Sequence, residues 1–276
     1  MTARTALVTG ASSGIGAATS RKLQDLGFTV YGAARRAERL RALTERDIRV
    51  LEMDLTDDAS LRAGVEKIVA ETGRIDLLVN CAGYGAYGAL EDVPADEARR
   101  QFEVNVLGAV RLIQLVLPYM RTQRGGTIVN VTSVGGKIYT PLGGWYHATK
   151  HALEVLSDCL RIETKPFGVN VIVIEPGSIK TEWGAIAAEN LAKVSGHGAY
   201  SGPAAAMGHT LNSPTVIKRS SDPSVIADLI GKAVTSRRPK TRYVAGFAGK
   251  PSLLLRRFLP DRAFDAVISR ASGIRS

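Results

Sequence analysis

Short runs of β-branched and aliphatic residues alternate with longer amphipathic stretches along this 276-residue chain. The runs Thr5–Thr9, Thr29–Ala33, Arg49–Met53, Leu77–Asn80, Thr127–Thr132, Asn170–Glu175 and Thr241–Ala245 predict strands. Helical periodicity fills roughly Gly14–Leu26, Ala59–Thr72, Ala95–Arg121, Tyr146–Pro166 and Pro223–Ser236, the last opened by Asp222-Pro223 as N-cap and first-turn proline. Strands alternating with helices predict an α/β fold with one doubly wound parallel sheet of about seven strands and helices on both faces. No repeat or linker divides the chain, so residues 1–250 are expected to form one domain and 251–276 a C-terminal extension. The stretch from Glu182 to Ser221 breaks the rhythm, being rich in Ala, Gly, Ser and Pro with Trp183, Tyr200 and Met207 as isolated large side chains. A long irregular insertion in a compact domain is usually a lid or binding segment, so 182–221 is expected to be a mobile substrate loop.

Composition adds bounds. Hydrophobic residues at 45%, charged residues at 22% and 28 glycines against 11 prolines describe a folded chain with enough length to bury its own core. No apolar run approaches the roughly 20 residues that span a bilayer, and Met1-Thr2-Ala3-Arg4 leads directly into a strand, which predicts a cytoplasmic location. Cys81 and Cys159 fit neither a CxxC pair nor a zinc site and are expected to be small apolar fillers.

The net charge of +10 is unevenly placed: from Gly231 to Ser276 there are eleven Lys/Arg against Asp261 and Asp265, which accounts for nine of the ten charges. A nearly neutral first 230 residues argues against nucleic acid as a partner. In the basic segment Leu255, Phe258, Leu259, Phe264, Val267 and Ile268 recur at helical spacing among Arg256, Arg257, Arg262 and Arg270, and Pro260 splits the pattern in two. That suits packing on the domain, an oligomer contact or peripheral association with an anionic membrane surface.

Chemistry is concentrated in three places. After the first strand, Thr9-Gly10-Ala11-Ser12-Ser13-Gly14-Ile15-Gly16 leads straight into a helix. Glycines in that setting allow a tight turn and bring backbone N–H groups and the positive end of the helix to a pyrophosphate. In such a Rossmann-like fold the end of the second strand faces the adenosine ribose, and here it reads Ala33-Ala34-Arg35-Arg36 with no acid before Glu38. Guanidinium groups there suit a 2′-phosphate, favouring NADP over NAD, unless Arg35 and Arg36 are simply solvated charges. Thirdly, Ser133 ends the fifth strand and Tyr146-His147-Ala148-Thr149-Lys150 opens a helix. Residues four apart share a helix face, so the Tyr146 hydroxyl and the Lys150 ammonium can address one ligand, the cation lowering the tyrosine pKa.

With these residues in place the chain resembles the short-chain dehydrogenase/reductase family. The likeness rests on Thr9-Gly10…Gly14-Ile15-Gly16, Asn80-Cys81-Ala82-Gly83, Ser133 with Tyr146 and Lys150, and Pro176-Gly177-Ser178-Ile179-Lys180-Thr181, in that order over about residues 4 to 246. It implies Tyr146 as acid/base, Lys150 on the ribose hydroxyls and the tyrosine, Ser133 on the substrate carbonyl, and Asn105 anchoring a water in a proton relay. It also implies that NADP(H) is held by Gly10, Ser12, Ser13, Gly14, Ile15, Gly16, Arg35, Arg36, Asp54, Leu55, Asn80, Ala82, Gly83, Pro176, Gly177, Ile179 and Thr181, together with Tyr146 and Lys150. Cys81 departs from the usual asparagine-rich pattern, a small change at that position. The implied reaction is hydride transfer between nicotinamide and a carbonyl or alcohol carbon, in a homodimer or homotetramer paired through Ala95–Arg121 and Tyr146–Pro166.

Tyr84, Tyr87, Tyr139, Leu142, Trp145, Trp183 and Met207 are expected around the site and suggest a hydrophobic substrate, although each could instead be core. His147 and His151 are four apart but lack an HExxH context or third ligand, so no metal is expected, and His197 and His209 are expected to be solvated. The competing reading is a dinucleotide-binding sensor or scaffold without turnover, which loss of Ser133, Tyr146 or Lys150 would have signalled; all three are present.

Overall fold

The computed structural model describes residues 3–274; Met1, Thr2, Arg275 and Ser276, the outermost residues of the expected domain and extension, lie outside it. In chain order the elements are β1 (Thr5–Thr9), α1 (Gly14–Asp25), β2 (Thr29–Ala34), a 3-10 turn at Ala37–Leu40, α2 (Arg41–Thr44), β3 (Arg49–Glu52), α3 (Asp58–Thr72) and β4 (Leu77–Asn80). Then follow α4 (Ala95–Phe102), a π-helical turn at Glu103–Leu107, α5 (Gly108–Thr122), β5 (Gly126–Val131), a 3-10 turn at Val134–Gly136, α6 (Gly144–Thr164) and β6 (Val169–Pro176). The remainder comprises α7 (Trp183–Ser195), α8 (Ser201–Leu211), α9 (Pro214–Arg219), α10 (Ser224–Thr235), β7 (Arg242–Ala245), α11 (Gly249–Phe258) and α12 (Asp261–Ala271).

The seven strands are all parallel in the order β3-β2-β1-β4-β5-β6-β7. Alternation along β1 shows why both faces are covered: Ala6 and Val8 join a core with Leu23 of α1 and Ile226 and Ile230 of α10, while Leu7 faces Leu61 and Val65 of α3 and Leu112 and Val116 of α5. The chain reverses its winding between β1 and β4, so the crevice at the carboxyl ends of those strands is where a fold of this topology binds ligands.

Three expectations change. Residues 182–221 are mostly helical: α7 and α8 are built on alanines, which favour helix without displaying a large-residue period, and Pro214 opens α9. Ala187, Leu191, Ala204 and Met207 then form a satellite core with Tyr87 and Tyr146. Secondly, Ala95–Arg121 is interrupted by the π turn that carries Asn105. Thirdly, α4 to α5, Ala95–Thr122, is by length and composition apolar enough to cross a bilayer. It is instead docked on the domain, with Asn105, Leu112, Ile113, Val116 and Met120 buried. The split of the basic segment at Pro260 holds.

Candidate active site

A cleft of about 1560 Å³ opens along the carboxyl ends of the strands. Its floor at one end is the β1–α1 turn. Gly14 adopts φ +50° and a Cβ there would meet the Thr181 side chain at 2.9 Å; a Cβ on Gly16 would collide with the Gly10 carbonyl. The first turn of α1 holds no acidic residue and Ser13 makes no side-chain cap, so its amides face the cleft unmet by a carboxylate.

Arg35 and Arg36 stand exposed on the cleft wall at the end of β2. Asp54 follows β3 and is fixed by the Thr56 N–H and hydroxyl, both donating to its Oδ1 at 2.9 Å. Leu55, Ala82, Gly83, Pro176, Gly177, Ile179 and Thr181 complete the lining expected of a dinucleotide site. The Pro176–Thr181 segment is pinned from outside: Ser178 pairs with Phe247, Ile179 with Ser221, and Lys180 N–H donates to the Ser221 carbonyl at 2.8 Å.

Two expected cofactor or relay residues lie beneath this wall instead of on it. Asn80 is buried with its Nδ2 donating to Asn130 Oδ1 at 2.9 Å. Asn105 Oδ1 accepts the Tyr84 N–H at 3.0 Å, and its Nδ2 donates to the Tyr84 carbonyl at 2.9 Å and to Thr149 Oγ1 at 3.1 Å. Its side chain therefore clasps the loop after β4 to α6.

Ser133, Tyr146 and Lys150 converge at the other end. The Ser133 Oγ accepts the Gly135 N–H at 2.9 Å, which leaves its hydroxyl hydrogen to donate toward Tyr146. Burial pushes the Tyr146 hydroxyl up to about 12, against a smaller lowering by Ser133, and desolvation brings Lys150 down to about 8 despite nearby Cys81 and Glu154. This reverses the expected lowering of the tyrosine. The Lys150 ammonium spends a hydrogen bond on the Val131 carbonyl at 3.0 Å and sits 6.0 Å from the Tyr146 ring centroid, so in this dry corner desolvation outweighs its field. The phenol is held protonated at neutral pH.

Of the aromatics expected nearby, Trp183 and Tyr87 flank Tyr146, with ring centroids 5.0 and 6.0 Å away, and Tyr84 lines the cleft with its hydroxyl on Glu97. Met207 and Leu142 belong to the satellite core behind them. Trp145 points away onto Phe102, and Tyr139 packs on Phe264 of α12, so neither shapes the cleft.

His147 is a structural residue that spacing alone could not assign. Its Nε2 accepts the Thr140 N–H at 3.0 Å, so Nδ1–H donates to the Gly135 carbonyl at 2.9 Å, and burial pulls its pKa down to about 4. The neutral ring fixes the turn that follows Ser133. No group of three or more metal-ligating side chains occurs among the described residues. His151, His197 and His209 are exposed, as is Cys159, which is not the expected filler; Cys81 lines the cleft and is pushed up to about 12 by burial.

The glycine cradle, the uncapped helix start and the guanidinium pair fit a dinucleotide, and the Ser133–Tyr146 pair beyond them fits a polarised oxygen. Comparison with known proteins agrees. Residues 4–191 match the family described as short chain dehydrogenase. A 3-ketodihydrosphingosine reductase of Bacteroides thetaiotaomicron is 41% identical over 175 residues, 63% of this chain and 64% of its own. An NADPH-dependent 3-dehydrocapnine reductase of Ornithobacterium rhinotracheale is 33% identical over 96% of this chain and 95% of its own. The crystal structure of a short-chain dehydrogenase from Streptomyces avermitilis superposes with a TM-score of 0.77 at 32% identity, covering 91% of each chain. The chain is a member of the short-chain dehydrogenase/reductase family of oxidoreductases.

Proposed function

We propose that the protein is a cytoplasmic NADP(H)-dependent reductase of a ketone or aldehyde on a hydrophobic small molecule, and oxidises the matching alcohol in reverse. The observation that carries this reading is the buried, protonated Tyr146 hydroxyl beside the Ser133 hydroxyl, enclosed by Tyr87 and Trp183. When bound, the nicotinamide supplies the hydride. The chain does the rest: a carbonyl oxygen set between Ser133 and Tyr146 receives two hydrogen bonds that strengthen as negative charge develops, and the Tyr146 O–H delivers the proton. Lys150, still mostly protonated at pH 7, offers the cation that stabilises the resulting phenolate.

The aromatic walls suit an apolar substrate body, and two relatives' names denote reduction of a keto or dehydro group at carbon 3. Arg35 and Arg36 would hold a 2′-phosphate, and the name of one relative includes NADPH dependence. NADPH is therefore expected to bind at least about ten-fold tighter than NADH, and Arg35→Ser with Arg36→Ser to abolish most of that preference without weakening NADH. Fluorescence titration checks this; equal affinities in the wild type would discard the cofactor assignment. A panel of apolar ketones and aldehydes then tests the substrate class.

The protein is further proposed to be a dimer or tetramer paired through the α4–α5 stretch and α6. Val155 and Ile162 of α6 stand 63% and 67% exposed and share an outward face with Cys159, an arrangement that a partner helix would cover.

A further inference from the structure

The outward face of α11 is apolar. Pro251, Leu254, Leu255 and Phe258 recur at i, i+3, i+4 and i+7 and are all exposed, Leu254 by 55% and Phe258 by 74%. On an ordinary surface helix such a stripe faces the core. Here the partly buried side is Ser252, Leu253 and Arg256. Arg256 is committed inward: its guanidinium lies 5.4 Å from the Tyr139 ring and 5.3 Å from the Phe264 ring, and pairs with Asp261 at 2.9 Å. The helix is thus anchored with its apolar stripe outward by the domain's own contacts.

Charge surrounds the stripe. Lys250 and Arg257 are exposed on the same helix, Arg257 over the Phe258 ring at 5.8 Å, Arg262 is exposed at the start of α12, and none of the three forms an ion pair among the described residues. We propose that this face docks on an anionic lipid bilayer, with the stripe entering the acyl boundary and the three cations on the headgroups. A second copy of the chain is a poorer occupant. One stripe on a ten-residue helix falls short of the roughly 800 Å² per partner of a stable dimer, and two-fold pairing would bring like charges together. A nucleic acid would want stacking aromatics, of which the stripe has only Phe258.

The placement has a consequence for the cleft. α11 lies against the Val134–Gly136 turn that follows Ser133. At the far end of the segment the Ser272 carbonyl shares the Thr210 hydroxyl at 3.3 Å with the Ala206 carbonyl at 3.1 Å, and Thr210 lines the cleft from α8. Docking would hold the substrate end of the molecule near the bilayer.

Co-sedimentation of the full chain with phosphatidylcholine vesicles, with and without roughly one-third phosphatidylglycerol, tests the proposal independently of any turnover. The protein is expected to pellet with the anionic vesicles and not the neutral ones, and raised salt to weaken the binding. Leu254→Ser with Phe258→Ser, and separately Lys250→Glu with Arg257→Glu, should each cut binding at least about ten-fold with melting temperature and hydrodynamic size unchanged. Failure to pellet, or binding that neither pair weakens, would overturn the proposal. So would dissociation of an oligomer by the Leu254/Phe258 pair, or tighter binding to duplex DNA that is indifferent to Leu254 and Phe258.

Discussion

Tyr146, Lys150 and Glu154 follow one another down a single face of α6, and each is set by burial against a different neighbour. The Glu154 carboxylate receives the Thr132 hydroxyl at 2.6 Å, Arg242 Nε at 3.0 Å and Lys137 Nζ at 3.1 Å. Glu175, buried beside it, has Arg242 Nε only at 3.6 Å, so burial and the repulsion of Glu154 push its carboxyl up to about 7 from 4.5. A folded pKa above the unfolded one stabilises the protein fully below about 4.5, and that contribution is lost as pH rises through about 7. The melting temperature is expected to fall across that window, and Glu175→Gln to flatten the fall; an unchanged slope in the variant would reject the assignment. Spacing made the Tyr146/Lys150 pair legible, because residues four apart must share a face. The direction of their pKa shifts was not legible, since desolvation depends on Tyr87, Trp183 and Val131, which come from other elements. His147 was hidden for the same reason: its partners Gly135 and Thr140 lie in a turn with no periodic signature.

At the scale of elements, strands with β-branched runs were read to within a residue or two, and the glycine turn named the start of α1. Helices α7 and α8 escape a periodicity reading because alanine carries helix propensity but no hydrophobic period, and the π turn at Glu103–Leu107 because one extra residue in a single turn is too short a disturbance for a periodic pattern to register. The inward turn of the Asn80 side chain to Asn130 has no periodic signature, since neighbouring residues of a strand point to opposite faces and either face of this sheet is covered. The large apolar anchor of the C-terminal pair α11–α12 is Phe264, fully buried against Tyr139 and Arg256. Phe264→Ala should cost about 3 kcal/mol of local stability. Hydrogen exchange should then quicken first in α11 and α12, whereas uniform quickening over the sheet would show that the segment and the domain open together.

For the whole molecule, the order β3-β2-β1-β4-β5-β6-β7 puts the fully buried β1 and β4 at the centre and the partly exposed β3 and β7 at the edges, and parallel strands joined by helical crossovers are what alternation along the sequence makes legible. The cleft at its switch point brings Tyr146 to Gly14 and Arg35, each more than a hundred residues before it in the chain. Assembly is legible only as an outward apolar face on α6; light scattering of the purified protein is expected to give a dimer or tetramer, and a monomer would refute that pairing. The decisive measurement is NADPH consumption with an apolar ketone turned over by the wild type, repeated with Tyr146→Phe while NADPH affinity is followed by fluorescence. Turnover should fall by at least about 10²-fold with affinity nearly unchanged. A variant that reduces the ketone as fast as the wild type would contradict the account.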